Sequence, residues 1–398
     1  MPENPINNQL TDGEVTAHTA SMWKYTPIPE SPEPFPEFRN SYSDHGDYTV
    51  TAASVRGKKH KHDGTNCDDW FETEQIGGWI IATVSDGAGS KKYSRIGAKA
   101  ACTSFVSEVK AAFMNAGQEE DLTASLSLPI GDEKFMKTLR KLTEIMQNAF
   151  LHAADAVEAE LFCRKDDPEY FADGEEPKLS DFACTLVTCS VIPLNKDEQL
   201  VIAIQAGDGM VCEISPSAGY ENALTLLGNA DSGDFSGETE FITSSKMRNI
   251  AAVQSRTKLK RSARSAVLLM SDGIADDYYP NSPKLLSLWT DLTINGIIPK
   301  FGDASEENSP VCEENVWVND RDIKYNIAYS DKTAESMELS PEKFWEMRNS
   351  FAIPADTETA SALSGTPDEK LKTWLDSYLK RGSFDDRTLA VILPGGEV

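Results

Sequence analysis

A chain of 398 residues, 40% hydrophobic and 26% charged, has the length of one large domain with insertions or of two ordinary ones. Its formal net charge of −26, from 38 basic and 64 acidic residues, argues against nucleic acid or an anionic membrane as a partner. No apolar run approaches the roughly 20 residues of a membrane span, and the opening MPENPINNQL lacks the basic and apolar segments of a secretory signal, so a cytoplasmic protein is expected. Seven cysteines (67, 102, 163, 184, 189, 212 and 312) form no CxxC pair, and the five histidines make no zinc pattern. The cysteines are expected to be reduced core residues.

Residues 1 to 45 are rich in Pro, Glu, Asn and Ser, most densely from Pro27 to Pro36. That composition cannot hold a core, so a proline-rich tail or strap is expected, with Trp23, Tyr25, Phe35 and Phe38 packing parts of it. The folded domain is expected over 46–398. Regular structure begins with Tyr48 to Val55, which alternates like a half-buried strand. A polar, basic loop from Arg56 to Thr65 leads to Cys67-Asp68-Asp69, and Gly77-Gly78 turns the chain into the apolar strand Trp79 to Val84. That strand ends in Ser85-Asp86-Gly87-Ala88-Gly89.

Apolar stripes at helical spacing predict one helix from Ser94 to about Asn115 and a longer one from about Asp132 to Phe162. Ala183–Val191, Gln199–Ala206 and Met210–Ile214 are predicted strands with connections too short for crossovers, hence an antiparallel meander. Gly207-Asp208-Gly209 is one of its turns. Gly237–Thr243 is expected as a further short strand.

Ser265–Met270 is a buried strand ending in Ser271-Asp272-Gly273, which repeats the Asp86-Gly87 device, and Asp276 follows. A helix is expected near Lys284 to Thr293. Residues from about 301 to 364 form an acidic, irregular insertion, with one helix begun by Ser340-Pro341-Glu342. Thr366-Pro367-Asp368-Glu369 then carries a capping box for a helix that stops near Arg381-Gly382. Phe384-Asp385-Asp386-Arg387 runs into a last strand, Thr388–Leu393.

Four acidic sites therefore abut hydrophobic strands: Asp68-Asp69, Asp86-Gly87, Asp272-Gly273 and Asp385-Asp386. Carboxylates and bare backbone carbonyls with no His or Cys among them select hard cations. A cation there also answers the charge problem that so acidic a chain poses for an anionic substrate.

The order and spacing of these motifs resemble the protein phosphatase 2C (metal-dependent PPM) family, over about residues 48 to 394. The resemblance rests on Cys67-Asp68-Asp69, Val84-Ser85-Asp86-Gly87, Ala183-Cys184-Thr185, Ala206-Gly207-Asp208, Ser271-Asp272-Gly273-Ile274-Ala275-Asp276 and Asp385-Asp386-Arg387-Thr388. The wording looks most like the bacterial branch. It implies an α+β fold, a four-layer αββα sandwich of two antiparallel sheets flanked by helix pairs, with two Mg²⁺ or Mn²⁺ ions at one edge.

In that resemblance Asp86 bridges the ions and Gly87 lends its carbonyl oxygen. Asp272 and Asp385 hold one ion and Asp68 the other, Asp69 holds waters from behind, and Asp276 helps bind a looser third ion. The implied activity is hydrolysis of phosphoserine and phosphothreonine in proteins, with a Ser/Thr kinase acting upstream.

Three positions depart from the family. Ala88 stands where many relatives have His, Gly64-Thr65 where many have the phosphate-gripping Arg, and Asp68 where Glu is commoner. From the basic loop, His60 and Arg56 are the candidates to take over the grip. Two other functions fit these residues: a catalytically weak regulatory or phosphoprotein-binding module, and hydrolysis of a small phosphorylated metabolite in a pocket shaped by the acidic insertion.

Overall fold

The computed structural model describes residues 24–30, 32–116, 119–172, 174–215, 222–228, 239–294, 296–298, 365–377 and 384–395. The expected insertion over 301–364, its helix near Ser340, the end of the last helix near Arg381 and most of the tail lie outside these residues.

In chain order the elements are β1 (Phe38–Asp44), β2 (Tyr48–Val55), α1 (Lys58–Asp63), β3 (Trp70–Ile76), β4 (Trp79–Ser85), α2 (Ser94–Ala116), α3 (Glu119–Leu126) and α4 (Glu133–Arg164). There follow β5 (Leu186–Pro193), β6 (Glu198–Ala206), β7 (Met210–Ile214), β8 (Leu224–Leu226), α5 (Ile250–Arg256) and β9 (Thr257–Ala263). The described chain closes with β10 (Ala266–Met270), α6 (Asp272–Ala275), α7 (Asn281–Ile294), α8 (Pro367–Ser377) and β11 (Arg387–Pro394).

The strands pair antiparallel into a six-stranded sheet, β1-β2-β11-β10-β7-β8, and a five-stranded sheet, β3-β4-β5-β6-β9. Period-two alternation explains how the sheets stack. In β4, Ile80, Ala82 and Val84 pack between the sheets while Trp79 and Ile81 pack outward under α2 and α4. In β10, Val267 and Leu269 face the other sheet while Ala266, Leu268 and Met270 join the core under α7 and α8. Strands buried on both faces read as continuous apolar runs, which is why the sequence shows runs rather than alternation here. Three apolar layers thus separate four structural layers, the αββα sandwich.

The helices are anchored as their sequences dictate. Asp132 caps α4, its carboxylate accepting from the backbone N–H of Lys134. Glu369 reaches back to the N–H of Thr366 at the start of α8. Cys67, Cys102, Cys184, Cys189 and Cys212 are free and buried, and Cys163 is free and exposed.

Four segments differ from the sequence expectation. β1 adds Phe38–Asp44 to a sheet edge, where the polar sequence FRNSYSD carries no apolar alternation. The basic loop after Arg56 winds into α1. Residues 239–243 form no extended strand, and the fifth strand of the second sheet is instead β9, the basic edge TKLKRSA. Lysines on an edge strand blunt it against further pairing.

Part of the strap packs on the domain. Phe35 is buried edge-on to Trp70, and its N–H donates to Asn66 Oδ1. Arg95 donates to the carbonyl oxygen of Glu33, and Arg164 pairs with the Glu33 carboxylate.

Candidate metal centre

Strand registers bring the acidic sites to one edge of the sandwich. Trp70, just after Asp68-Asp69, pairs with Ser85, and Leu186 pairs with Ala206, just before Gly207-Asp208. Met270, just before Ser271-Asp272, pairs with both Met210 and Leu389. Seven strand ends therefore meet at this edge and bring their loops together.

Each loop is fixed through its backbone. The N–H of Asp86 donates to Thr185 Oγ1 at 2.9 Å and its carbonyl accepts from the N–H of Thr185 at 2.8 Å. Asp208 follows Gly207, whose φ of +108° suits glycine and where a Cβ would collide with the Thr185 side chain. Gln205 Nε2 donates to the carbonyls of Gly207 and Gly209, holding that turn from inside. Asp272 is the first residue of α6.

Carboxylate oxygens of Asp86, Asp208 and Asp272 lie within 4.8 Å of one another. Burial and crowding penalise the charged forms of Asp86 and Asp272. Asp86 is pushed well above the usual carboxylate range by burial and by Asp272, Asp69, Asp385 and Asp208. Burial, Asp208 and Asp69 push Asp272 up to about 8. Asp276 is raised by partial desolvation and by Asp208.

Asp69, 3% exposed, is raised to about 7 by burial and by Asp386. Its Oδ2 accepts from Thr388 Oγ1 at 2.6 Å, whereas its Oδ1 is buried without a hydrogen-bond partner. Asp208 repeats the pattern: Oδ2 accepts from Thr239 Oγ1 at 2.5 Å and Oδ1 is buried and unpartnered. Buried acceptors left unpaired are costly unless a cation or water meets them. The all-oxygen donor set and these orphan atoms fit a hard divalent cation.

A second group lies beneath. Asp386 is buried and accepts from the N–H of Gly57 at 2.6 Å, the N–H of Asp68 at 2.5 Å and the ring of His60 at 2.9 Å. Burial alone would raise Asp386, but His60 and the two backbone donors outweigh it and hold the carboxyl below its usual range. Burial likewise opposes the charged form of His60, yet Asp386, Asp68 and Asp385 together bring it up to about 9. The other ring nitrogen, Nε2, faces Asp385 Oδ1 at 3.7 Å. Gly57 is required here, since a Cβ on it would sit 2.3 Å from the backbone carbon of Asp385.

Of the residues singled out from sequence, Asp86 and Asp272 meet directly, with Asp69, Asp385 and Asp276 in electrostatic contact. Gly87 is packed so tightly that a Cβ would approach Asp68 O to 2.7 Å. Asp68 is in electrostatic contact with the second group: burial and Asp386 raise it to about 8, while His60 and Arg95 lower it. His60 and Arg56 are 3% and 1% exposed and so sit below the protein surface. Arg56 Nη2 donates to the carbonyl of His60 at 2.7 Å, and its Nε and Nη1 find no partner.

Two members went unlisted among the sequence candidates. Asp208 ends an apolar strand beside a glycine, the same signal as Asp86 and Asp272. Asp386 abuts Asp385, and only the fold shows that the pair divides its labour.

The protein phosphatase 2C family model matches residues 56–296. No curated protein matches the chain. Among solved structures, a bacterial serine phosphatase is 12% identical, with 88% of this chain and 99% of that one covered at a TM-score of 0.38. The serine/threonine phosphatase Stp1 from Staphylococcus aureus is 11% identical, with 92% and 99% covered at 0.36. RsbX in complex with magnesium is 11% identical, with 90% and 100% covered at 0.32. Superpositions this loose carry no argument of their own. Among the described residues no helix is long and apolar enough to cross a membrane. The family model spans more than half of the chain, and the chain belongs to the protein phosphatase 2C family.

Proposed function

We infer that the acidic edge holds Mg²⁺ or Mn²⁺ and that the chain hydrolyses phosphoserine and phosphothreonine esters in proteins. The convergence of Asp86, Asp208 and Asp272, together with unpartnered buried oxygens on Asp69 and Asp208, is the observation that carries this reading.

Asp86, Asp208 and Asp272 would hold the ions, with Gly87 O, Asp385 and Asp276 around them and Asp68 on the far side. When bound, two such ions neutralise a phosphate and lower the pKa of water near it. Among the chain's own groups, the unpartnered Asp69 Oδ1 would be the acceptor that orients an attacking water. Being buried, His60 braces the Asp385-Asp386 segment and Arg56 holds the His60 carbonyl, rather than touching substrate. Ala88 offers no acid after Asp86-Gly87, so the leaving serine oxygen takes its proton from solvent, which slows but does not prevent turnover.

A phosphoprotein substrate requires a Ser/Thr kinase acting before this protein. Ala88 and the burial of His60 and Arg56 favour one competing reading, a catalytically weak phosphoprotein-binding module. Phosphate release from a phosphopeptide by Asp86→Ala and Asp272→Ala variants separates them. The phosphatase reading expects both to be folded and inactive beside an active unaltered chain; full activity in either variant would sink the site assignment.

A further inference from the structure

Asp69 is set in place by a chain of hydroxyl groups running through the interface of the two sheets. Thr388 Oγ1 lies 2.6 Å from Asp69 Oδ2 and 2.8 Å from Ser54 Oγ, and Ser54 Oγ lies 3.7 Å from Cys67 Sγ. All four side chains are buried, Thr388 at 0% exposure and the other three at 3%.

A hydroxyl has one proton to give. An ionised carboxylate can only accept, so with Asp69 ionised, as a bound cation requires, Thr388 spends its proton on Asp69. Ser54 must then donate to Thr388, and the Cys67 thiol must donate to Ser54. The direction is set along the whole chain: Cys67 S–H to Ser54, Ser54 O–H to Thr388, Thr388 O–H to Asp69 Oδ2. One oxygen of Asp69 is thereby fixed, and the other, Oδ1, is buried without a hydrogen-bond partner.

Thr388 also ties in the neighbouring acidic loop. Its N–H donates to Ser271 Oγ at 3.0 Å, and its carbonyl accepts from the N–H of Ser271 at 3.1 Å. It therefore joins the segments that carry Asp69 and Asp272, from a position three residues after Asp385.

We propose that Thr388, backed by Ser54 and Cys67, is a positioning residue that orients Asp69 so that its free oxygen serves the metal centre. This rests on the metal-dependent reading of the site. Groups behind ligands commonly set metal affinity by about 10- to 100-fold, and a directed chain of hydrogen bonds strengthens each of its members.

The test is calorimetric titration of the full-length protein with Mn²⁺, with melting temperature measured in parallel. Thr388→Val, which keeps the shape and removes the hydroxyl, should weaken Mn²⁺ binding about 10-fold, while Thr388→Ser should stay within about two-fold of the unaltered chain. In an Asp69→Asn background the Thr388→Val effect should shrink to under about two-fold, because the two act as a unit. Should Thr388→Val fail to fold, Ser54→Ala carries the test, with an expected loss of about two- to five-fold. Unchanged Mn²⁺ affinity in a folded Thr388→Val or Ser54→Ala protein, or equal losses with and without Asp69, overturns this proposal alone. An unaltered chain that binds no Mn²⁺ overturns the metal-dependent reading, and this proposal with it.

Discussion

His60 Nδ1 lies 2.9 Å from Asp386 Oδ2, with side-chain exposures of 3% and 1%. The pair fastens α1 to the segment that carries Asp385. Asp386 also receives the N–H groups of Gly57 and Asp68, so one carboxylate ties the last loop to both the start of α1 and the segment that leads into β3. Charges buried this deeply are stable only while they remain paired.

Removing the imidazole should therefore be costly. His60→Ala is expected to lower unfolding stability by about 3 kcal/mol, the low end for breaking a buried ion pair, because two backbone donors still serve Asp386. Urea denaturation at pH 7 measures it. A loss below about 1 kcal/mol would mean that the pair is not a fastening.

Stability of the metal-free protein should fall as pH rises. Asp69, Asp68 and Asp272 titrate near 7, 8 and 8 when folded, against 3.8 for a free carboxyl. The folded state then binds more protons than the unfolded chain between these values, and stability drops across that window. His60 acts in the same direction: its contribution is whole below 6.5 and is lost as pH rises through about 9. Asp386, held low, contributes above 3.8 and is lost only as pH falls below it. Melting temperature in EDTA should decline between about pH 5 and pH 8, and saturating Mn²⁺ should flatten the decline. A melting temperature that climbs with pH in EDTA would contradict this account of the cluster.

Asp208→Asn separates a ligand from a structural turn residue. The amide keeps the size of the side chain and relieves the like-charge crowding with Asp86 and Asp272. Metal-free melting temperature should hold or rise, while Mn²⁺ affinity by calorimetry should fall by about 10-fold. Lower stability with unchanged affinity would make Asp208 structural.

Much of the sandwich was legible because its central strands are buried on both faces and its helices carry long apolar stripes. Val84 and Met270 each end such a strand, and the acidic residues just beyond them marked the functional edge. The edges were harder to see. Phe38–Asp44 and Thr257–Ala263 are strands through backbone pairing to a neighbour, with polar or basic side chains that follow no strand period.

The site was legible as a set of acids but not as a division of labour among them. Nothing local distinguishes Asp385 from Asp386, or Asp68 from Asp69; the strand ends they abut decide which carboxyl reaches the cluster. Exposure was invisible too. Arg56 and His60 occur in a stretch of charged residues that looks solvated, yet the strap, α1 and the last loop close over them.

The central claim is metal-dependent ester hydrolysis, and phosphate release from a phosphothreonine peptide by the full-length protein tests it most directly. With Mn²⁺ present, release should be catalytic at some pH between about 6 and 9, stop on addition of EDTA and return when Mn²⁺ is restored. No release in Mn²⁺ across that range, or release that EDTA leaves untouched, would contradict the account.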